Sequence, residues 1–155
     1  MKRWTPSSGA TALRDEFGVD AALDLLASLL SGEAAPAEFA GEPWSTVLRL
    51  VGNYRSPRDG ATGDAGGTPL DLQHEGNEYW ARSWAARAMA YIGDERVASS
   101  LARALNDHHW RVRMTAAQTI GRLRIRGLDD ELVRLLDDEH GRVRDAAALA
   151  LERTA

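Results

Sequence analysis

The side chains that could do chemistry are few, and they fall into small groups. Four histidines stand at positions 74, 108, 109 and 140, with Glu75 directly after His74. A histidine–carboxylate metal site needs three or four converging ligands, and two turn histidines on adjacent helices fall short of that number. The four are therefore read as solvent-exposed turn residues, and no metal ligand is assigned. The chain has no cysteine, so a thiol nucleophile, a disulfide and a Cys-ligated zinc or iron–sulfur centre are all excluded. No Gly-x-Ser-x-Gly stretch marks a serine nucleophile. Gly60, Gly63, Gly66 and Gly67 lack the Gly-Lys-Ser/Thr ending and the preceding strand of a phosphate-binding loop. No catalytic residue and no cofactor is assigned. Trp80, Trp84 and Trp110 are the large side chains most suited to a partner surface, where aromatic residues concentrate binding energy.

The bulk composition fits this picture. The chain has 155 residues, the size of one domain, and a net charge of −4. Its 26 alanines and 18 arginines stand out against a single lysine, Lys2. A general nucleic-acid coat would be strongly basic. From residue 78 onward there are 13 arginines against 12 acids, while the part before it has 6 basic residues against 11 acids. The only concentrated basic feature is Arg122-x-Arg124-x-Arg126, and arginines at a helix C-terminus also complement the helix dipole. No apolar run approaches the roughly 20 residues of a membrane helix. No signal peptide opens the chain, so the cytoplasm is the expected compartment.

These residues are positioned by a repeat. Sliding the chain so that Asp107 falls on Asp138 also brings His109 onto His140, and Arg111-Val112-Arg113 onto Arg142-Val143-Arg144. Ala116-Ala117 then meets Ala147-Ala148, and Ile120 meets Leu151. The same shift backwards sets Arg82, Ala85-Ala86 and Met89 under Arg113, Ala116-Ala117 and Ile120. Each unit reads as two helices. Val112, Ala116, Ile120 and Leu123 recur at helical spacing, and so do Leu128, Leu132, Leu135 and Leu136. Gly93 and Gly127 punctuate the turns, and Asp107 stands where an N-cap would. Alanine pairs allow close helix packing. A single hairpin cannot bury its own apolar face, whereas stacked hairpins share one core.

The pattern Asp107…Val112-Arg113…Ala116-Ala117…Ile120-Gly121, recurring with the interval from Asp107 to Asp138, resembles the short HEAT-like repeats found in phycobilisome lyases. The resemblance covers residues 78–155. It implies that Asp107, Arg113, Asp138 and Arg144 form a structural ladder along the stack. Gly76 stands where the first unit's aspartate would be, so Arg82 is expected to lack a partner. Phycobilisome lyases attach a bilin to a partner's cysteine, and the resemblance to them extends to the scaffold alone. Iron hydroxylases built of similar repeats hold metal through His-Glu pairs within helices. Here only His74-Glu75 has that order, and it falls in a loop region. Some DNA-repair glycosylases of this architecture use tryptophans and arginines that Trp80, Trp84, Trp110, Arg111, Arg122, Arg124 and Arg126 could imitate.

The first half is less regular. Leu13 and Phe17 suit a short helix ending at Gly18. Val19, Leu23, Leu26, Leu29 and Leu30 suit another that ends at Ser31-Gly32 and resembles the second helix of a unit. A third is expected over Trp44–Tyr54, with Pro43 in its first turn. Residues 9–54 thus form a degenerate N-terminal cap, 55–77 a glycine-rich loop, and 78–155 repeats ending in a half unit. The expected fold is all-α: a single domain forming a short right-handed α-solenoid of about eight helices. Its second helices should line a concave face presenting Ser99, Ser100 and Arg103, then Asp130, Glu131 and Arg134. The last helix is left unpartnered, with Leu149 on its outer side, which invites a partner protein or self-association. The leading functional expectation is a non-catalytic protein-interaction scaffold. The alternatives are an accessory lyase- or isomerase-like protein holding a small ligand or chromophore in the groove, and a nucleic-acid-binding protein.

Overall fold

The computed structural model describes residues 6–33 and 78–155, and all its regular structure there is helical. Six α-helices follow in order: α1 (Pro6–Ser31), α2 (Glu78–Ala88), α3 (Val97–Ala104), α4 (Trp110–Leu123), α5 (Asp129–Arg134) and α6 (Gly141–Thr154). Single 3₁₀ turns extend α2 through Met89–Tyr91 and α5 through Leu135–Asp137. The expected count of about eight is thus six among the described residues. The two stretches foreseen either side of Gly18 run together in α1, and the helix expected at 44–54 lies outside the described residues, as does the 55–77 loop.

Gly18 explains why α1 is one element with two rods. Its backbone sits at φ 83°, ψ 165°, a region essentially closed to other residues. The apolar face restarts on each side of this break: Ala10 and Leu13 are buried before it, and Ala22, Leu23, Leu26, Leu29 and Leu30 after it. Phe17, the last residue of the first rod, is half exposed.

Helix α4 shows how the repeat sequence becomes structure. Val112, Ala116, Ala117 and Ile120 are completely buried at helical spacing. The helix stops through a Schellman closure, in which Ile125 N–H reaches Ile120 O at 3.1 Å and Arg124 N–H reaches Gly121 O at 3.3 Å. Arg124 supplies the left-handed residue that this closure needs, at φ 53°.

The long helices stack in order, α1 on α2, α2 on α4, and α4 on α6. Each short second helix leans on the first helix of the next unit: α3 on α4, and α5 on α6. Helix α1 packs on both α2 and α3, which is where the second helix of a preceding unit would sit. Closest approach occurs at Gly121, where an added Cβ would lie 2.9 Å from the Ala150 Cα. One continuous apolar cluster runs from Ala10 to Ala150. Among the described residues no helix is long and apolar enough to cross a membrane.

Candidate functional site

Two ladders cross the stack along the starts of α2, α4 and α6, and they share the repeat period. The first is ionic. Arg82 donates from Nε to Asp107 Oδ2 at 2.8 Å and from Nη2 to Oδ1 at 3.1 Å. One unit later Arg113 repeats the fork on Asp138, at 2.7 and 3.1 Å. Paired N–H donors match a carboxylate in both geometry and charge. The Oδ1 atoms of Asp107 and Asp138 also accept the backbone N–H of His109 and His140, at 2.8 and 2.9 Å. Burial pushes the Asp138 carboxyl upward, but the Arg113 fork and the His140 N–H outweigh it and hold its pKa below the usual carboxylate range. The same fork raises the pKa of Arg113.

This geometry corrects the expectation for Arg82. The ladder runs forward, each arginine taking the aspartate of the following unit, so Gly76 deprives Arg82 of nothing. The backward contacts go to main-chain carbonyls. Arg113 Nη1 donates to Asp107 O at 2.9 Å, and Arg144 Nη1 donates to Asp138 O at 2.6 Å. Among the described residues no carboxylate faces Arg144.

The second ladder is aromatic. Tyr79 stacks on His109 with ring centroids 3.6 Å apart and planes 3° from parallel. Trp110, the repeat counterpart of Tyr79, stacks on His140 at 4.6 Å. Between them Arg111 places its guanidinium 5.0 Å from the Trp80 ring and 4.6 Å from the Trp110 ring. A cation held over indole faces is attracted by the ring quadrupole. Gly141 follows Tyr79 and Trp110 in the repeat register and has no ring to carry the ladder further.

The histidines are therefore not all solvent-exposed turn residues, as the sequence had suggested. His109 is half-buried under Tyr79 and is itself the N-cap of α4, its Nδ1 accepting the Arg111 N–H at 3.2 Å. Asp107 is not that cap. It stands two residues earlier and braces the loop through the His109 N–H. Burial, then the Arg82 charge, lowers the His109 pKa, with Arg111 and His108 adding to the effect against Asp107. The neutral ring is the form that can accept the capping bond. His108 is exposed, and His74 lies outside the described residues. No three His, Asp or Glu side chains gather as a metal site would among the described residues.

The tryptophans are split by depth. Trp80 and Trp110 are half-buried, whereas Trp84 is buried and serves the core more than a surface. Trp80 and Trp84 pack together, ring centroids 5.7 Å apart, and wall a hollow of about 180 Å³. Arg87, Arg111, Thr115 and Gln118 complete its lining, and Thr115 bonds Ser83 at 2.9 Å. A second hollow, about 200 Å³, lies between α1 and α3 and includes Arg103 and Asp107. Both are smaller than the roughly 300–1,000 Å³ of common ligand pockets. Ser99 and Arg103 on α3, and Asp130 and Arg134 on α5, are exposed, while Glu131 is half-buried. They belong to the second helices and do not join the tryptophan cluster. Arg122 lies 4.6 Å over the Tyr91 ring and Arg124 closes α4, so two members of the basic run have local structural work. Sequence reading missed Tyr79 as part of this surface, and named Arg111 beside the tryptophans only for a nucleic-acid role. Their signal was the repeat register, which sets Tyr79 under Trp110 and Trp80 under Arg111.

Stacked helical hairpins joined by a forward Arg–Asp ladder define an α-solenoid of the HEAT type. A family model of HEAT repeats matches residues 70–152, and the chain belongs to that family. It is also 36% identical over 121 residues to the phycocyanin alpha phycocyanobilin lyase CpcF of a Synechocystis species, an alignment covering 72% of this chain and 55% of that protein. The chain thus spans about half the length of that relative.

Proposed function

We propose that this protein is a non-catalytic protein-interaction scaffold working beside chromophore-attaching machinery. The observation that carries the reading is the half-buried ridge Trp80–Arg111–Trp110–His140, a run of stacked rings around one fixed cation. Tryptophan and arginine concentrate binding energy at protein interfaces, and a pre-stacked surface loses little side-chain freedom when it docks. The link to chromophore attachment rests on the relative's name and on the shared repeat scaffold. The exposed residues of α3 and α5, Ser99, Arg103, Asp130 and Arg134 together with half-buried Glu131, form a second polar surface for a partner. The outer face of α6 is a third, for a partner or for a second copy. The cytoplasm is the proposed compartment.

A second reading, favoured by the same relative, is an accessory lyase-like role in which the Trp80–Trp84 hollow holds the acidic or aromatic edge of a ligand. Binding of nucleic acid through Arg122, Arg124 and Arg126 is a third and weaker reading, since two of those arginines are engaged locally.

Affinity capture from host extract separates these readings, with the full chain and its Arg111→Glu and Trp110→Ala variants as baits. One stoichiometric protein held by the parent chain and lost by both variants supports the scaffold. A co-purifying visible chromophore supports the second reading. Equal recovery by all three baits removes the ridge from the function.

A further inference from the structure

Arg82, Arg111 and Arg113 stand half-buried near the starts of α2 and α4, and they are held in two different ways. Arg82 and Arg113 each grip an aspartate through a bidentate fork. Arg111 is placed by aromatic rings instead, its guanidinium 5.0 Å from the Trp80 ring and 4.6 Å from the Trp110 ring. No acceptor among the described residues takes its side-chain N–H groups, and none takes the indole N–H of Trp80 or Trp110. The hydroxyls of the adjoining hollow do not answer them. Thr115 donates to Arg111 O at 2.8 Å and receives the Ser83 hydroxyl at 2.9 Å, so these two are spent on each other and on the main chain. Trp80, Trp84 and Met114 give the same hollow apolar walls. A fixed cation with donors and no acceptor thus lies beside an apolar recess.

We propose that Arg111 receives a carboxylate side chain of a partner protein, and that an apolar residue next to that carboxylate enters the hollow beside Trp80 and Trp84. This deepens the scaffold reading, on which it rests, by naming the partner's chemistry. A planar guanidinium matches a carboxylate in geometry and charge, and one already held against rings loses little freedom on receiving it. The hollow, about 180 Å³, is below the size of whole-ligand pockets and suits a single side chain. A nucleic-acid backbone is the poorer occupant. One repeat along the stack Met114 gives way to exposed Asp145, and Glu139 is exposed in the turn before α6, so an extended anion running that way from Arg111 meets acids. The net charge of the chain, −4, opposes a polyanion as well. A lone carboxylate with an apolar neighbour meets neither objection.

The test titrates N-acetyl-glutamyl-leucinamide into the full ¹⁵N-labelled chain. The Arg111 Nε–H signal and the Trp80 and Trp84 indole N–H signals are expected to move saturably, while the signal of exposed Arg142 stays still. N-acetyl-glutaminyl-leucinamide lacks the charge, and N-acetyl-glutamyl-glycinamide lacks the apolar side chain. Each is expected to bind at least about tenfold more weakly. Equal binding of either control, or an Arg111 signal that does not move, overturns the proposal. Arg111→Lys keeps the charge without the planar fork and is expected to lose a similar factor. Full retention of binding by that variant reduces the effect to diffuse charge attraction and overturns it too. An Arg111 signal moved more strongly by a single-stranded oligonucleotide at near-physiological salt overturns it in favour of nucleic acid. A chain that captures a host protein through Arg111 and Trp110 yet ignores these peptides loses the carboxylate and keeps the scaffold reading, so the two fail separately.

Discussion

Arg113 and Arg144 occupy equivalent places one repeat apart and make the same backward bonds, yet their removal is expected to cost different amounts. The Arg113–Asp138 pair is largely shielded, with side-chain exposures of 11% and 7%. Arg113→Ala leaves that carboxylate short of its bidentate partner and should destabilise the fold by about 2–4 kcal/mol. Arg144→Ala removes an exposed cation and should cost less than about 1 kcal/mol. Urea unfolding of both variants checks the contrast, and equal losses would contradict the forward direction of the ladder. His109 makes a pH prediction. Its folded-state pKa lies below the ordinary value, so the unfolded chain takes up the proton first as pH falls. Its contribution is fully present above the unfolded value of about 6.5 and is lost as pH drops from there through the lower folded value. His109→Asn retains a capping oxygen without a titrating ring, and should flatten that part of the stability–pH curve relative to the parent.

At the scale of elements, the decisive contacts are those in which one helix meets another or the chain turns. Gly121→Ala would favour an isolated helix by about 1 kcal/mol. Here the new Cβ would fall 2.9 Å from a backbone atom of α6 and 3.2 Å from the Ala150 Cβ. Overpacking should win and destabilise by about 1–3 kcal/mol, visible as a lower melting temperature. Arg124→Gly works the other way. It relieves a left-handed residue that carries a side chain and should stabilise by about 1 kcal/mol in denaturant melts. Helical spacing in the sequence announced α4 and α6 and the two rods of α1, because one apolar face must be buried whatever covers it. It did not announce that Arg124 closes α4. Gly127 advertised the turn, but the closure is set by where Ile125 and Arg124 find carbonyls.

At the scale of the whole molecule, α4 is held by α2, α3 and α6, whereas α5 is short and carries Val133 and Leu136 to solvent. Repeat stacks open from weakly covered ends, so amide exchange should be slowest in α4 and fastest in α5 among the helices of the 78–155 segment. Exchange measured by mass spectrometry would show it, and uniform protection would mean that the stack opens all at once.

The sequence alone determined the repeat period and the helical hairpins, because a repeat register and a helical apolar period are properties of order along the chain. Direction and partnership were decided only in three dimensions. Arg82 reaches forward to Asp107, His109 is both cap and stacking partner, and Arg111 lies between two indoles. Each of these contacts joins neighbouring units or closes a single turn, and which of several chemically suitable groups is met depends on how neighbouring units are offset. The same holds for Arg144, which meets only main-chain carbonyls among the described residues although the sequence writes it just as it writes Arg113.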